Sequence, residues 1–261
     1  MTVINPIKDR LAAGDILYGG WAGMGSTVAT EIFGHMGFDW VLVDGEHGNN
    51  DHASFVSQLL ALNTGPAAAF VRPESNNPVL LKRLLDLGFY NFMIPMIENA
   101  EHALKAVEAT RYPPQGIRGV SVSTRSNRFG LQSDYFSKIN SRICVIAQIE
   151  TSKSVDHVES IASVDGVDCL FIGPQDLAAS IGHLAKPSDE SVQALIKEAA
   201  QRINASGKPA GILAGDEREA LRYLEWGFKF IGVSSDQGLI RRGVQQIFSV
   251  LKPNHHSVAR A

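Results

Sequence analysis

The chain has 261 residues, 44% of them apolar, and a formal charge of −3 from 24 basic and 27 acidic residues. That length can bury one substantial core, and without any block of like charge the chain is not expected to track nucleic acid or a membrane surface. No apolar run reaches the roughly 18 to 20 residues of a membrane span, and the opening Met1-Thr2-Val3-Ile4-Asn5-Pro6 lacks the basic-then-apolar pattern of a signal peptide.

Residues 5–13 read as a short helix stopped by Gly14, followed by a strand from Leu17 to Trp21. A helix over 26–36 opens on the cap candidates Ser26 and Thr27 and closes at Gly37. Asp39 to Val43 is the next strand. The helix over 51–63 takes Asp51 as its N-cap. Ala67 to Val71 is a strand ending in Arg72-Pro73, and the helix over 78–87 ends at Gly88. Asn91 to Pro95 is a strand and 99–110 a helix. The rhythm then breaks: 111–139 reads as a long loop, rich in Pro, Gly, Ser and Arg as far as Asp134, and loops of that length are usually functional or disordered. It resumes with strand Ile143–Gln148, helix 152–163, strand Val167–Ile172, helix 190–206, strand Pro209–Leu213, helix 215–225, strand Phe228–Val233 and a long helix over 236–251. The tail, 252–261, reads as frayed. Cys144 and Cys169 both fall inside apolar runs and are expected as buried free thiols in a reducing cytoplasm.

Short strands rich in Val and Ile, each followed by a helix, imply a parallel sheet covered on both faces. Eight such units in about 250 residues predict a closed (β/α)8 barrel, one domain over residues 1–261. An open doubly wound sheet is the alternative, but no G-x-G-x-x-G follows the first strand, so no nucleotide cofactor is expected.

In such barrels the chemistry sits at the carboxyl ends of the strands. Those ends supply Asp44, Glu46 and His47, then Arg72, then Gln148 and Glu150, then Gly173, Pro174, Gln175 and Asp176. Glu150 and Asp176 lie on adjacent strands, and two oxygen ligands with open positions suit Mg²⁺ or Mn²⁺ better than zinc. Such an ion would polarise the ketone of a 2-oxo acid. Arg72 offers a fixed charge to a developing oxyanion. His47 is a candidate proton carrier, with Asp44 or another carboxylate to orient it. Gly173-Pro174 allows close backbone approach, and a helix opening at Gln175-Asp176-Leu177 would attract a carboxylate.

Singly, each has a bland reading: a strand-end acid is as readily a helix N-cap, His47 a loop histidine, Arg72 a surface ion pair. Their joint pattern on one barrel face raises the functional reading. Asp86 stands at a helix C-terminus, where the dipole disfavours an acid. Lys208 and Lys229 fall at the strand starts and Lys153 past Glu150, so a Schiff-base lysine is disfavoured, and PLP is not expected.

From Gly37-Phe38-Asp39-Trp40 through Asp44-Gly45-Glu46-His47, the sequence resembles the HpcH/HpaI family of class II pyruvate aldolases. The likeness continues through Leu81-Lys82-Arg83-Leu84-Leu85-Asp86, Gly116-Ile117-Arg118-Gly119-Val120-Ser121, Gln148-Ile149-Glu150, Gly173-Pro174-Gln175-Asp176 and Arg222-Tyr223-Leu224-Glu225-Trp226-Gly227. It covers nearly the whole chain. The resemblance implies that His47 is the catalytic base, that Asp86 raises its basicity, and that Arg72 stabilises the transition state. It also implies Glu150 and Asp176 as ligands of a divalent ion (Mg²⁺ or Mn²⁺, Co²⁺ as a further option), with Gln148 and position 175 at the substrate. The family ordinarily has Ser or Ala where Gln175 stands, so pocket size is open. The implied reaction is reversible cleavage of a 4-hydroxy-2-oxo acid, such as a deoxy-oxo-glucarate, into pyruvate or a related 2-oxo acid plus an aldehyde. Heptanedioate-type substrates, a decarboxylase, a related carbon–carbon lyase or a non-catalytic 2-oxo-acid binder are the competing readings. The implied assembly is a homo-hexamer, a trimer of dimers in which helix 236–251 packs on a neighbour.

Overall fold

In the computed structural model, which describes residues 3–252, eight parallel strands close in sequence order, β1 pairing with β8. They are β1 (Leu17–Ala22), β2 (Trp40–Asp44), β3 (Ala68–Arg72), β4 (Asn91–Ile94), β5 (Cys144–Ile149), β6 (Cys169–Ile172), β7 (Ala210–Leu213) and β8 (Phe228–Ser235). This is the expected (β/α)8 barrel. Nearly every residue of these strands is buried, which is why their sequences read as continuous apolar runs rather than alternating ones.

The helices are α1 (Pro6–Ala13), α2 (Thr27–His35), α3 (His52–Leu62), α4 (Pro78–Leu87), α5 (Ala100–Thr110), α6 (Tyr135–Lys138), α7 (Ser152–Asp156), α8 (Val158–Ala162), α9 (Pro174–Ser180), α10 (Glu190–Ala205), α11 (Glu217–Glu225) and α12 (Asp236–Leu251). Asp51 caps α3 as expected, accepting from Ser54 N in a reciprocal capping box. The helix read as continuous over 152–163 divides at His157, which is both the C-cap of α7 and the N-cap of α8. The residues after Lys252, to which the frayed tail was assigned, lie outside the described range. Cys144 and Cys169 are buried free thiols.

Inside the barrel the packing is aromatic. Trp40 stacks on Phe230 at 4.1 Å, and Trp21 lies 5.8 Å from Phe171. Glycines make the room: a Cβ at Gly19 would come within 2.0 Å of the Trp40 ring, and one at Gly211 within 2.6 Å of Phe171. The amino-terminal end is plugged by α1, whose Ile7 and Leu11 join this interior cluster. There Lys8 Nζ donates to Ile143 O and to Asp168 Oδ2, and Lys208 and Lys229 donate to the carbonyls of Val167 and Gly14.

The long connection after α5 runs from a helix end to a strand start, so it lies at this same closed end. It is ordered around Arg118, 2% exposed. The Arg118 guanidinium sits 4.4 Å over the Tyr112 ring, and it donates to the Tyr135 hydroxyl and to Asp86 Oδ1.

Because the Gly19 contact is with a buried ring, Gly19→Ala should overpack the barrel and cost about 1–3 kcal/mol, read as a lower urea midpoint at unchanged m.

Candidate active site

At the carboxyl ends of the strands opens a cavity of about 310 Å³. Its wall brings together His47, Arg72, Gln148, Glu150, Gly173, Pro174, Gln175 and Asp176, all singled out from sequence, and adds Trp21, Phe171 and Leu213. No lysine lines it; Lys153 lies outside, paired with Glu98.

Arg72 ends β3 and is 6% exposed. Its Nε and Nη2 donate to the two oxygens of Asp44, at 2.8 and 2.6 Å. Its Nη1 lies 2.7 Å from Glu46 Oε2, an ion pair outside hydrogen-bond angles. Trp21 Nε1 donates to Asp44 Oδ2, and the Arg72 guanidinium sits 5.1 Å over the Trp21 ring. Three strand ends are thereby locked together. Burial raises the Asp44 carboxyl pKa, but the hydrogen bonds and charge of Arg72 outweigh it and leave the group below its ordinary value. Glu46 is shifted the other way, because its burial outweighs the Arg72 charge.

Asp44 also accepts from the backbone N–H groups of Glu46 and His47. It therefore shapes the loop that carries His47 rather than touching the imidazole. The acid nearest the ring is Glu46, 4.0 Å from Nε2, and the His47 side chain is 67% exposed at the cavity mouth.

Across the cavity, Glu150 is 3% exposed. Its Oε2 accepts from Met96 N at 2.8 Å and its Oε1 from Gln148 Nε2 at 3.2 Å. Met96 holds a left-handed backbone, φ 53°, which aims that N–H at the carboxylate. Burial pushes the Glu150 pKa up to about 7; the Met96 N–H opposes this, while the charges of Glu46 and Asp176 add to it. Gly173 permits the approach of β6, since a Cβ there would meet Glu150 at 2.8 Å. The buried Gln148 Oε1 has no partner.

Asp86 is the exception. Near the carboxyl end of α4 it lies at the closed end of the barrel and pairs with Arg118, so within the chain it does not meet His47. Within the chain, its place opposite the helix dipole is answered by that guanidinium. Sequence reasoning also missed Trp21 and the Met96 N–H. Trp21 carried a signal as a strand-end aromatic; a backbone group carried none.

The residues present fit a hard divalent cation. Asp44 and Glu46 are taken up by Arg72, leaving Glu150 and Asp176 facing one cavity, neither in an ion pair among the described residues, beside a carbonyl oxygen on Gln148 that has no partner among them. No cluster of three or more His, Cys, Asp or Glu side chains suited to a metal occurs among the described residues. A site here would keep positions for water or substrate oxygens, as Mg²⁺ and Mn²⁺ sites do.

Fold and cavity thus define a (β/α)8 barrel whose strand-end polar groups converge on one small cavity. A family model described as HpcH/HpaI aldolase/citrate lyase matches residues 18–242. A 5-keto-4-deoxy-D-glucarate aldolase of Enterobacter sp. (strain 638) is 50% identical over 248 residues, 95% of this chain and 97% of that one. One of Escherichia coli O6:H1 is 48% identical over 95% and 97%. The crystal structure of a family protein from Burkholderia cenocepacia J2315 superposes with a TM-score of 0.92 at 39% identity, covering 95% of this chain and 99% of that one. The chain belongs to the HpcH/HpaI aldolase/citrate lyase family and is a carbon–carbon lyase.

Asp44→Asn removes the charge that answers a buried guanidinium and should destabilise the fold by roughly 3–5 kcal/mol at neutral pH. The folded Asp44 carboxyl lies below its ordinary value of 3.8. Its stabilisation is therefore complete above that value and is lost as pH falls through the lower, folded one. Acid titration of the melting temperature should show this limb in the wild type and a flatter one in Asp44→Asn.

Proposed function

We propose that the chain reversibly cleaves 5-keto-4-deoxy-D-glucarate, or a close 4-hydroxy-2-oxo diacid, to pyruvate and tartronate semialdehyde, with Mg²⁺ or Mn²⁺ held by Glu150 and Asp176. The observation that carries this is the single cavity shared by Arg72, His47, Gln148, Glu150 and Asp176, in a chain half identical to enzymes of that name.

The ion, when bound, supplies a fixed positive charge that makes the oxo group a better electron sink. The rest is the work of the protein. The Gln175 and Asp176 N–H groups, in the first turn of α9, have no intrahelical partners and receive the oxo-acid carboxylate. His47 takes the C4 hydroxyl proton. The C3–C4 bond then breaks, the aldehyde leaves, and its bonding pair becomes the enolate of pyruvate. Arg72, held rigid by Asp44 and Trp21, meets the charge that develops on the enolate oxygen without having to reorganise. Return of a proton to C3 gives pyruvate. Trp21, Phe171 and Leu213 provide the apolar part of the wall and limit water beside the enolate.

The same reading places the enzyme in the cytoplasm as a homo-hexamer. Supporting the assembly, α12 exposes Ile240, Val244, Ile247 and Phe248, an apolar stripe of the kind that is buried between subunits. Native mass measurement should give six chains for the wild type and fewer for Ile247→Glu.

Pyruvate release from 5-keto-4-deoxy-D-glucarate should vanish with EDTA and return with Mg²⁺ or Mn²⁺. Glu150→Gln and Asp176→Asn should each lower kcat/KM at least about 100-fold and abolish the rise in melting temperature that Mn²⁺ gives the wild type. Metal-dependent cleavage at normal rates in either variant would overturn the assignment.

A further inference from the structure

The cavity that gathers the acids has a neighbour. Between the loops after β7 and β8 lies a second opening of about 450 Å³, walled by Asp216, Glu219, Ser234, Ser235, Arg241 and Arg242. Pro174, Gln175 and Leu213 line both. The two therefore form one trough, with the exposed Gln175 at the divide.

The first half holds Glu150 and Asp176 beside Arg72; the second presents two guanidinium groups, Arg241 and Arg242, that form no ion pair among the described residues although Asp216 and Glu219 line the same opening. Arg242 donates only to neutral acceptors, Nη2 to Ser234 Oγ at 2.9 Å and Nη1 to Gly215 O at 3.4 Å. The Arg241 side chain makes no hydrogen bond or ion pair among the described residues. The acids of this half, Asp216 and Glu219, and Asp236 beside it each hold hydrogen bonds to other groups than these arginines. Asp216 Oδ1 accepts from Glu219 N and caps α11. Glu219 accepts from Gly215 N and pairs with Arg222. Asp236 accepts from the N–H groups of Gly23, Met24 and Gln237. On α12, at 100° per residue, Arg242 projects away from the apolar stripe of Ile240, Val244 and Ile247. Arg242 and the stripe thus occupy different faces of one helix, whereas Arg241, seven residues before Phe248, stands at the stripe's edge.

We infer that the Arg241–Arg242 half of the trough seats a carboxylate at the far end of the substrate, so that the loops after β7 and β8 select aldehydes that carry an acid. The inference rests on the aldolase reading, which puts the oxo-acid end at Glu150 and Asp176 and leaves the rest of the chain to extend past Gln175. A planar guanidinium matches a carboxylate in two parallel hydrogen bonds, and loops after strands seven and eight are where barrels commonly hold anionic groups. Gln175, larger than the small residue the family resemblance implied, brings an amide to the point where the hydroxylated middle of the substrate crosses from one half to the other.

The test runs the reaction in the condensing direction with pyruvate, Mn²⁺ and two aldehydes of equal length. Tartronate semialdehyde ends in a carboxylate and glyceraldehyde in a hydroxymethyl group. The readout is the ratio of their kcat/KM values. The wild type should favour the acid. Arg242→Met, Arg241→Gln and the double variant should reduce that preference, the double by about 10- to 100-fold and chiefly through KM, the size of lost charge-assisted hydrogen bonds. Arg242→Lys should retain part of it. An unchanged ratio in the double variant, or equal losses with both aldehydes, would overturn the inference. Exchange of the pyruvate methyl protons in D2O, without aldehyde, reads the oxo-acid end alone. A wild type that neither exchanges nor condenses fails as an aldolase; a wild type that does both, beside variants with an unaltered ratio, fails only as a carboxylate seat.

Discussion

The site depends on one buried cation. Arg72 closes β3 in a place with almost no solvent, and a guanidinium there requires anions in fixed positions. Asp44 meets it with both oxygens and Glu46 with one. That requirement fixes the neighbouring strand end, because the carboxylate that holds Arg72 also receives the Trp21 indole and the N–H groups of Glu46 and His47. The histidine's loop is thus set by the arginine's counter-ion. The same network decides which acids remain. With Asp44 and Glu46 engaged, the carboxylates that face the cavity without a cationic side chain of their own are those of β5 and of the first turn of α9. The proposed ion supplies what they lack.

This network stands on the aromatic interior. Trp21 belongs to the packed cluster with Trp40, Phe171 and Phe230, and its indole edge is the point where that cluster becomes the floor of the cavity. The glycines of β1 and β7 that admit Trp40 and Phe171 therefore bear on the site as well as on stability. Close packing carries small displacements from one layer to the next. A carboxylate held at 2.6 Å from its arginine leaves little slack in the hydrogen bond for such a displacement.

Much of this was legible in the chain. The strands announced themselves as Val- and Ile-rich runs, and their polar ends named eight residues of one cavity wall, because closure of a parallel barrel brings together strand ends that are far apart in sequence. What escaped was whatever depended on contacts between elements rather than on residue type. Within the chain Asp86 pairs with Arg118, delivered by a connection whose path no local pattern specifies. The division of helix 152–163 at His157 follows no Gly or Pro. The Met96 N–H is a property of a φ angle, and a methionine in the left-handed region is not a choice that propensity would make.

The division of labour around the barrel mouth follows from the same geometry. The ends of β2, β3, β5 and β6 supply the polar wall of the first cavity, where Arg72 is tied to Asp44 and Glu46, and Glu150 to Met96 and Gln148. The opening between the loops after β7 and β8 shares Gln175, Pro174 and Leu213 with that wall, and Asp236, just after β8, is bonded to Gly23 and Met24 after β1. The proposed carboxylate seat at Arg241 and Arg242 lies outside the buried Arg72 network and meets the first cavity at Gln175.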